Sequence, residues 1–283
     1  MKNISERKTM RVSPLIFIKE LIQKFRENQL LFLSNWLTYR VMLAFFPFLV
    51  FLMSLLGFLN LDYALMLDGI HEILPEGAYL VVNVFTAETA GLRSGALLST
   101  SIIFILVSSV NGFRAITRCI NRAYDTEDER NIFMQALFSI ILMMIFTFAI
   151  VLMLLLLIFG RQLWEFLEAV VSWELGILSA ILGAIVSLFV MMIVIMAIYI
   201  IACAKKLKLR NVFPGAIFTV VSWVVSSALF GYFMSNFSNV SAIYGSIAGV
   251  FILMLWLNLI SVILLIGNEI NAFLYKTKQV KCE

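Results

Sequence analysis

Arginine, glutamate and asparagine side chains set within long apolar stretches are where this chain could do chemistry. Arg40 stands in the first stretch, Arg114 and Arg118 close the second, and Glu269 lies near the end of the last. A carboxylate or guanidinium close to hydrocarbon is costly unless it is paired, and such residues mark ion paths, gates or headgroup sites. Glu269 sits in Gly267-Asn268-Glu269-Ile270-Asn271, a polar cluster before Lys276. Arg40, Arg114 or Arg118 could reach it if the helices adjoin. Two readings stay open: an ion pair that closes one end of a bundle, or a gate that also holds a headgroup. Asn111, Asn258 and Asn271 are the amides of the same kind. They serve either as hydrogen-bonded links between helices, worth ~0.6–2 kcal/mol each, or as the polar wall of a substrate path.

Other chemistry lacks its residues. His71 is the single histidine, and its spacing identifies no acid–base partner. Cys119, Cys203 and Cys282 form no CxxC or Cys/His cluster, so no metal or other cofactor is expected. No Gly-rich phosphate loop of the Walker type is present. The net charge of +4 could suggest nucleic acid, but its cations flank apolar runs. Anionic membrane headgroups are therefore the expected partner, and nucleic acid is not.

The elements that would position these residues are six apolar runs, at about 36–59, 95–117, 133–159, 177–203, 212–234 and 243–274. Each can cross a hydrocarbon core of roughly 30 Å at ~1.5 Å per helical residue. Sixty-two per cent apolar residues and a mean hydropathy of +1.01 exclude an ordinary soluble globule. Lys and Arg alternate between the gaps. Seven precede the first run, then come Arg93 alone, Arg118, Arg122 and Arg130, then Arg161 alone, then four within 205–210, then none, then three in the tail. Cations accumulate on the cytoplasmic side, which predicts an all-α bundle of six spans with both termini inside. The expected parts are a cytoplasmic segment 1–35, a membrane domain 36–275 and a cytoplasmic tail 276–283. The thiols then fall at or near the reducing side, with no disulfide needed.

Within that frame, residues 14–30 read as an amphipathic surface helix, with Leu15, Ile18, Leu21, Ile22 and Phe25 on one face. Pro47 predicts a kink or local break in the first span and a place against other helices. The segment 60–94 reads as two short helices on the outer surface, and Arg161–Trp173 as a further outer segment. Small and polar residues in spans one, two, five and six place those around the interior, with three and four more peripheral. Ser241, Gly245 and Gly249 recur every fourth residue, the pattern of close packing against the fifth helix or of a substrate groove.

Several stretches resemble the YihY/BrkB family of bacterial membrane proteins. They are Leu37-Thr38-Tyr39-Arg40 with Ala44-Phe45-Phe46-Pro47-Phe48-Leu49, Asn121-Arg122-Ala123-Tyr124 with Arg130, and Pro214-Gly215-Ala216. The closing stretch adds Asn236-Phe237, Tyr244-Gly245-Ser246, Leu255-Trp256-Leu257 and Gly267 through Ala272. Ala44 and Asn268 depart from the residues usual in the family. The resemblance implies a six-span protein of the bacterial cytoplasmic membrane and no settled activity. An old ribonuclease label for the family fails here, because RNA hydrolysis needs an acid–base or metal set that these cytoplasmic segments do not offer. The expectation is a non-enzymatic protein that moves a lipid or other amphipathic envelope molecule. The alternative is a non-transporting scaffold or envelope-assembly factor. A second copy of the chain or another envelope protein stays open as a partner.

Overall fold

The computed structural model describes residues 28–58, 95–171, 176–236 and 246–280, together with Gln23, Tyr79 and Asn83. Among these residues the fold is entirely helical: α1 Leu30–Phe58, α2 Gly95–Ala123, α3 Ile132–Val171, α4 Gly176–Ala202, α5 Leu209–Asn236 and α6 Ser246–Val280. The expected surface helix over 14–30 and the outer helices over 60–94 lie outside the described residues, apart from those single positions and the turn at 28–29.

Each helix packs on its neighbours in the chain, and α6 returns to α1, so the contacts trace a closed ring. Further contacts join α2 to α4 and to α6. The main core gathers the starts of α1 and α5 with the ends of α2, α4 and α6, through Leu33, Leu37, Ile120, Tyr199, Val212 and Leu265. Phe138, near the start of α3, packs against it. Successive helices therefore run in opposite directions, and the start of α1 and the end of α6 share one end of the bundle. The loops α2–α3 and α4–α5, which carry Arg130, Lys205, Lys206 and Lys208, lie at that same end.

Among the described residues, five helical stretches are long and apolar enough to cross a membrane: Leu30–Leu49, Ile132–Ala149, Gly183–Ala202, Leu209–Phe233 and Ala248–Lys278. The second expected span, α2, is not among the five. It carries Arg114, Arg118 and Arg122 in its last turns.

Three readings are refined. First, α1 continues through Pro47, so a full break does not occur. Its neighbours support that stretch: Phe45 and Phe46 pack against the Leu253–Trp256–Leu257 cluster, and Phe48 meets Phe146 of α3 at 5.5 Å. Second, α3 extends without interruption to Val171, 40 residues and roughly 60 Å at ~1.5 Å each. The separate outer segment expected from Arg161 is thus its continuation, and no proline lies there to end the helix. Third, α4 is not simply peripheral. Ile185 and Phe189 are exposed, as a lipid-facing surface requires, but Ile195, Tyr199 and Ala202 enter the core. Counting small and polar residues overlooked α4 because Tyr199 is the polar side chain among the α4 residues that enter the core.

The turns at the shared end have local causes. Asp125 adopts a left-handed conformation with φ 48° and ends α2, a conformation that aspartate tolerates better than most residues. Gln29 does so before α1, with φ 52°, and its carbonyl accepts the Leu33 amide at 3.0 Å.

Candidate functional site

Glu269 is the focus of the shared end, with only 1% of its surface exposed. Its Oε1 accepts a hydrogen bond from Asn28 Nδ2 at 2.6 Å, across 241 positions of sequence. The left-handed turn at Gln29 sets Asn28 just outside α1, where its side chain meets α6. A bond from an amide to a carboxylate is among the stronger kinds, and burial makes its loss costly.

The residues around Glu269 form a layer of hydrogen bonds between helices, in which Asn268 Oδ1 and Asn271 Nδ2 are buried without a partner. Asn268 Nδ2 donates to the Ile120 carbonyl of α2 at 3.1 Å. Asn271 Oδ1 accepts the backbone amide of Gly215 at 2.7 Å. Pro214 has no N–H and crowds the turn before it, which loosens the ladder where Gly215 turns its amide to α6. Tyr199 of α4 donates to the Leu264 carbonyl at 2.8 Å and shares a 2.7 Å bond with Thr219 of α5. Gly215 and Gly267 let the backbones of α5 and α6 touch: a methyl on Gly267 would lie 2.7 Å from the Gly215 carbonyl oxygen.

The arginines are placed elsewhere. Arg114 Nε donates to Gln135 of α3 at 2.7 Å. The guanidinium carbons of Arg40 and Arg118 stand 5.8 and 5.4 Å from the Trp36 ring centroid. Asn111 is exposed on α2. Asn258 donates to Asn35 at 2.7 Å and to Thr38 at 3.2 Å, and Thr38 bonds Ser261 at 3.2 Å, so this amide joins α6 to α1. Of the small-residue series on α6, Gly249 is buried, and Ser241 and Gly245 lie outside the described residues. The structure thus gathers Asn258, Glu269 and Asn271 along α6, and separates Arg40, Arg114, Arg118 and Asn111 onto α1 and α2.

Sequence reading missed the device that ends α4. Asn121 donates to the Ala202 carbonyl at 3.1 Å and accepts the Ala204 amide at 2.7 Å. Arg130 reaches the Ile201 and Ala202 carbonyls at 2.8 and 3.0 Å, while Asp128 holds its Nε. Helix ends leave carbonyls unsatisfied and partly negative, so a guanidinium there answers both needs. Arg130 thus has an inward role. The signal was present in Asn121-Arg122-Ala123-Tyr124 with Arg130, but the spacing alone does not reveal a partner some 70 residues onward. Lys205 donates to the Tyr124 carbonyl at 2.8 Å, and Lys276 pairs with Asp125. An open cavity of about 810 Å³ lies between these loops, lined by Glu127, Arg130, Phe138, Ile201 and Lys206 among others. Burial pushes the Tyr124 phenol and the Cys203 thiol up, and the Lys205 amide and ammonium with Arg130 partly oppose the rise at Cys203. Among the described residues no group of three His, Cys, Asp or Glu side chains could hold a metal.

Comparison with known proteins follows this geometry. A family model described as "Virulence factor BrkB" matches residues 21–282. The ribonuclease-like protein YfkH of Bacillus subtilis strain 168 is 39% identical over 270 residues, covering 94% of this chain and 98% of its own. A UPF0761 membrane protein of Histophilus somni strain 129Pt is 21% identical, covering 94% of this chain and 93% of its own. Another, from Alteromonas mediterranea, is 22% identical over 89% of this chain and 85% of its own. No solved structure matches.

Proposed function

The chain belongs to the virulence factor BrkB family of membrane proteins, and from that premise we propose that it moves a lipid or other amphipathic envelope molecule across the bacterial cytoplasmic membrane. In this reading all six helices cross, both termini are cytoplasmic, and the layer around Glu269 is the inner gate in its closed position. The carrying observation is the burial of Glu269 on α6 against Asn28, which precedes α1. A carboxylate inside a membrane bundle costs several kcal/mol of desolvation, and well-packed apolar residues would close a static bundle at least as well. A bond that joins the first and last elements is also one that inward opening would have to break.

A second reading, a non-transporting scaffold or assembly factor, is favoured by one specific observation. Asn258, Asn268 and Asn271 all spend hydrogen bonds on neighbouring helices. In both readings the protein is not an enzyme.

The test uses purified protein in liposomes carrying fluorescent lipids of several headgroup classes. The transport reading expects faster transbilayer movement with the wild type and an altered rate with Glu269→Gln, which keeps the shape and removes the charge. No acceleration with the wild type for any lipid class would overturn it in favour of the scaffold.

A further inference from the structure

Four cations at the shared end are held by groups of the protein itself. Arg114 is held by Gln135, Arg130 by Asp128 and two carbonyls, Lys205 by the Tyr124 carbonyl and Lys276 by Asp125. Arg40 and Arg118 have neither a carboxylate nor a carbonyl partner among the described residues. They converge on Trp36, at 5.8 and 5.4 Å from its ring centroid, one from α1 and one from α2. Arg40 Nε is buried without a hydrogen-bond partner. Arg118 is exposed. The indole face attracts each cation, but it accepts no guanidinium hydrogen bond and does not cancel the repulsion between two positive charges. Such a pair is complete only with an anion between or beside the two forks, and guanidinium geometry suits phosphate oxygens.

Exposed apolar side chains stand below the pair, with the exposed Asn111 of α2 among them. Tyr39 and Leu43 follow Trp36 along one stripe of α1, at 55% and 51% exposure, and Val107 of α2 is exposed at 61%. Trp36 is in the second turn of α1, and Arg118 is five residues before the end of α2. The charged end of this face thus lies toward the cation-rich end of the bundle, and its apolar side chains run toward the middle. That is the polarity of a lipid lying alongside the protein.

We propose that Arg40, Trp36 and Arg118 form a binding site for the phosphate of an anionic phospholipid of the inner leaflet, whose acyl chain lies over Tyr39, Leu43 and Val107. The inference rests on this end facing the cytoplasm, as in the proposed topology, and not on transport. The site binds whether the protein is a transporter or a scaffold.

The experiment measures retention of phosphatidylglycerol by the full chain in detergent, using native mass spectrometry and thermal protection. Phosphatidylcholine, glycerol phosphate and inorganic phosphate are the other arms. Arg118→Gln, at an exposed position, should weaken phosphatidylglycerol retention about tenfold, and the Arg40→Gln/Arg118→Gln pair should abolish the preference over phosphatidylcholine. Arg122→Gln, exposed at the same end, should change retention less than about twofold. Equal loss with Arg122→Gln would mean diffuse attraction by surface charge and would overturn the site. Equal protection by inorganic phosphate or glycerol phosphate would overturn the lipid as its source. Unchanged retention in Arg118→Gln would overturn it outright.

Discussion

Gly215 and Gly267 hold α5 and α6 at backbone contact. A methyl group on Gly215 would collide with the Gly267 carbonyl oxygen and sit 2.5 Å from Asn271 Nδ2. A methyl on Gly267 would collide with Thr219 Oγ1 and lie 2.5 Å from the Tyr199 hydroxyl. The crossing therefore controls two things together, the approach of the helices and the hydrogen bonds from Asn271 and Tyr199.

Gly215→Ala and Gly267→Ala should each lower stability by about 1–3 kcal/mol or more, as backbone atoms cannot swing aside like a flexible side chain. Gly183→Ala, where an added Cβ meets nothing within 4 Å, should be neutral or gain up to ~1 kcal/mol from helix propensity. Thermal unfolding in detergent separates the two classes. Equal midpoints would show that the α5–α6 contact is looser than described.

Arg130→Ala should destabilise by about 1.5–3 kcal/mol, since charged hydrogen bonds to the end of α4 are lost. Arg130→Lys should not recover this, because one ammonium cannot hold two carbonyls and Asp128 in the same fork. The exposed Arg122→Ala is the control, expected to lie within about 0.5 kcal/mol of the wild type.

The sequence made the helices legible and the partners only partly so. Apolar length exposed all six helices, and alternating cations anticipated that the start of α1 and the end of α6 would share an end. Glu269 stood out because charge in an apolar run is rare. Its partner did not: Asn28 lies in a polar segment where amides are ordinary, and only the folded turn at Gln29 brings it across to α6. The small-residue series Ser241, Gly245, Gly249 drew attention by its period. The crossing at Gly215 and Gly267 has no period, one glycine on each helix, so only the packing of the two helices together reveals it. Tyr199 was hidden for a related reason, as aromatic residues in an apolar helix are indistinguishable from lipid-facing ones until neighbours are known.

Asn258 and Asn35 should show a coupling of about 0.6–1.7 kcal/mol in a double-mutant cycle, as expected for an interhelical bond within a membrane. Asn258→Ala and Asn35→Ala supply the single variants. A coupling near zero would mean that water satisfies Asn258 equally well, and the polar wall of a path would then be the better description of this residue.

Cys203 should resist alkylation in the folded protein. The thiolate is the reacting species, and burial raises the pKa, so a given pH holds less thiolate than a solvated cysteine would. At about pH 8, where an ordinary thiol is partly ionised, labelling should be slow and should rise only as pH climbs further. Mass-resolved alkylation checks this, and denaturation should remove the protection. Fast labelling of the folded chain at neutral pH would show that the loop after α4 opens readily.

The bond between Asn28 and Glu269 spans 241 positions, so this end of the bundle is finished only once α6 has been synthesised. Until α6 arrives, Asn28, Asn35 and Thr38 lack the partners that Glu269, Asn258 and Ser261 provide. A chain truncated before residue 246 would therefore present unsatisfied amides and hydroxyls along α1, within lipid or at its edge, where water is scarce. Quality-control proteases would have a chemical mark by which to tell an unfinished copy from a finished one. Steady-state abundance of such a truncation, compared in protease-proficient and protease-deficient cells, reads that mark directly.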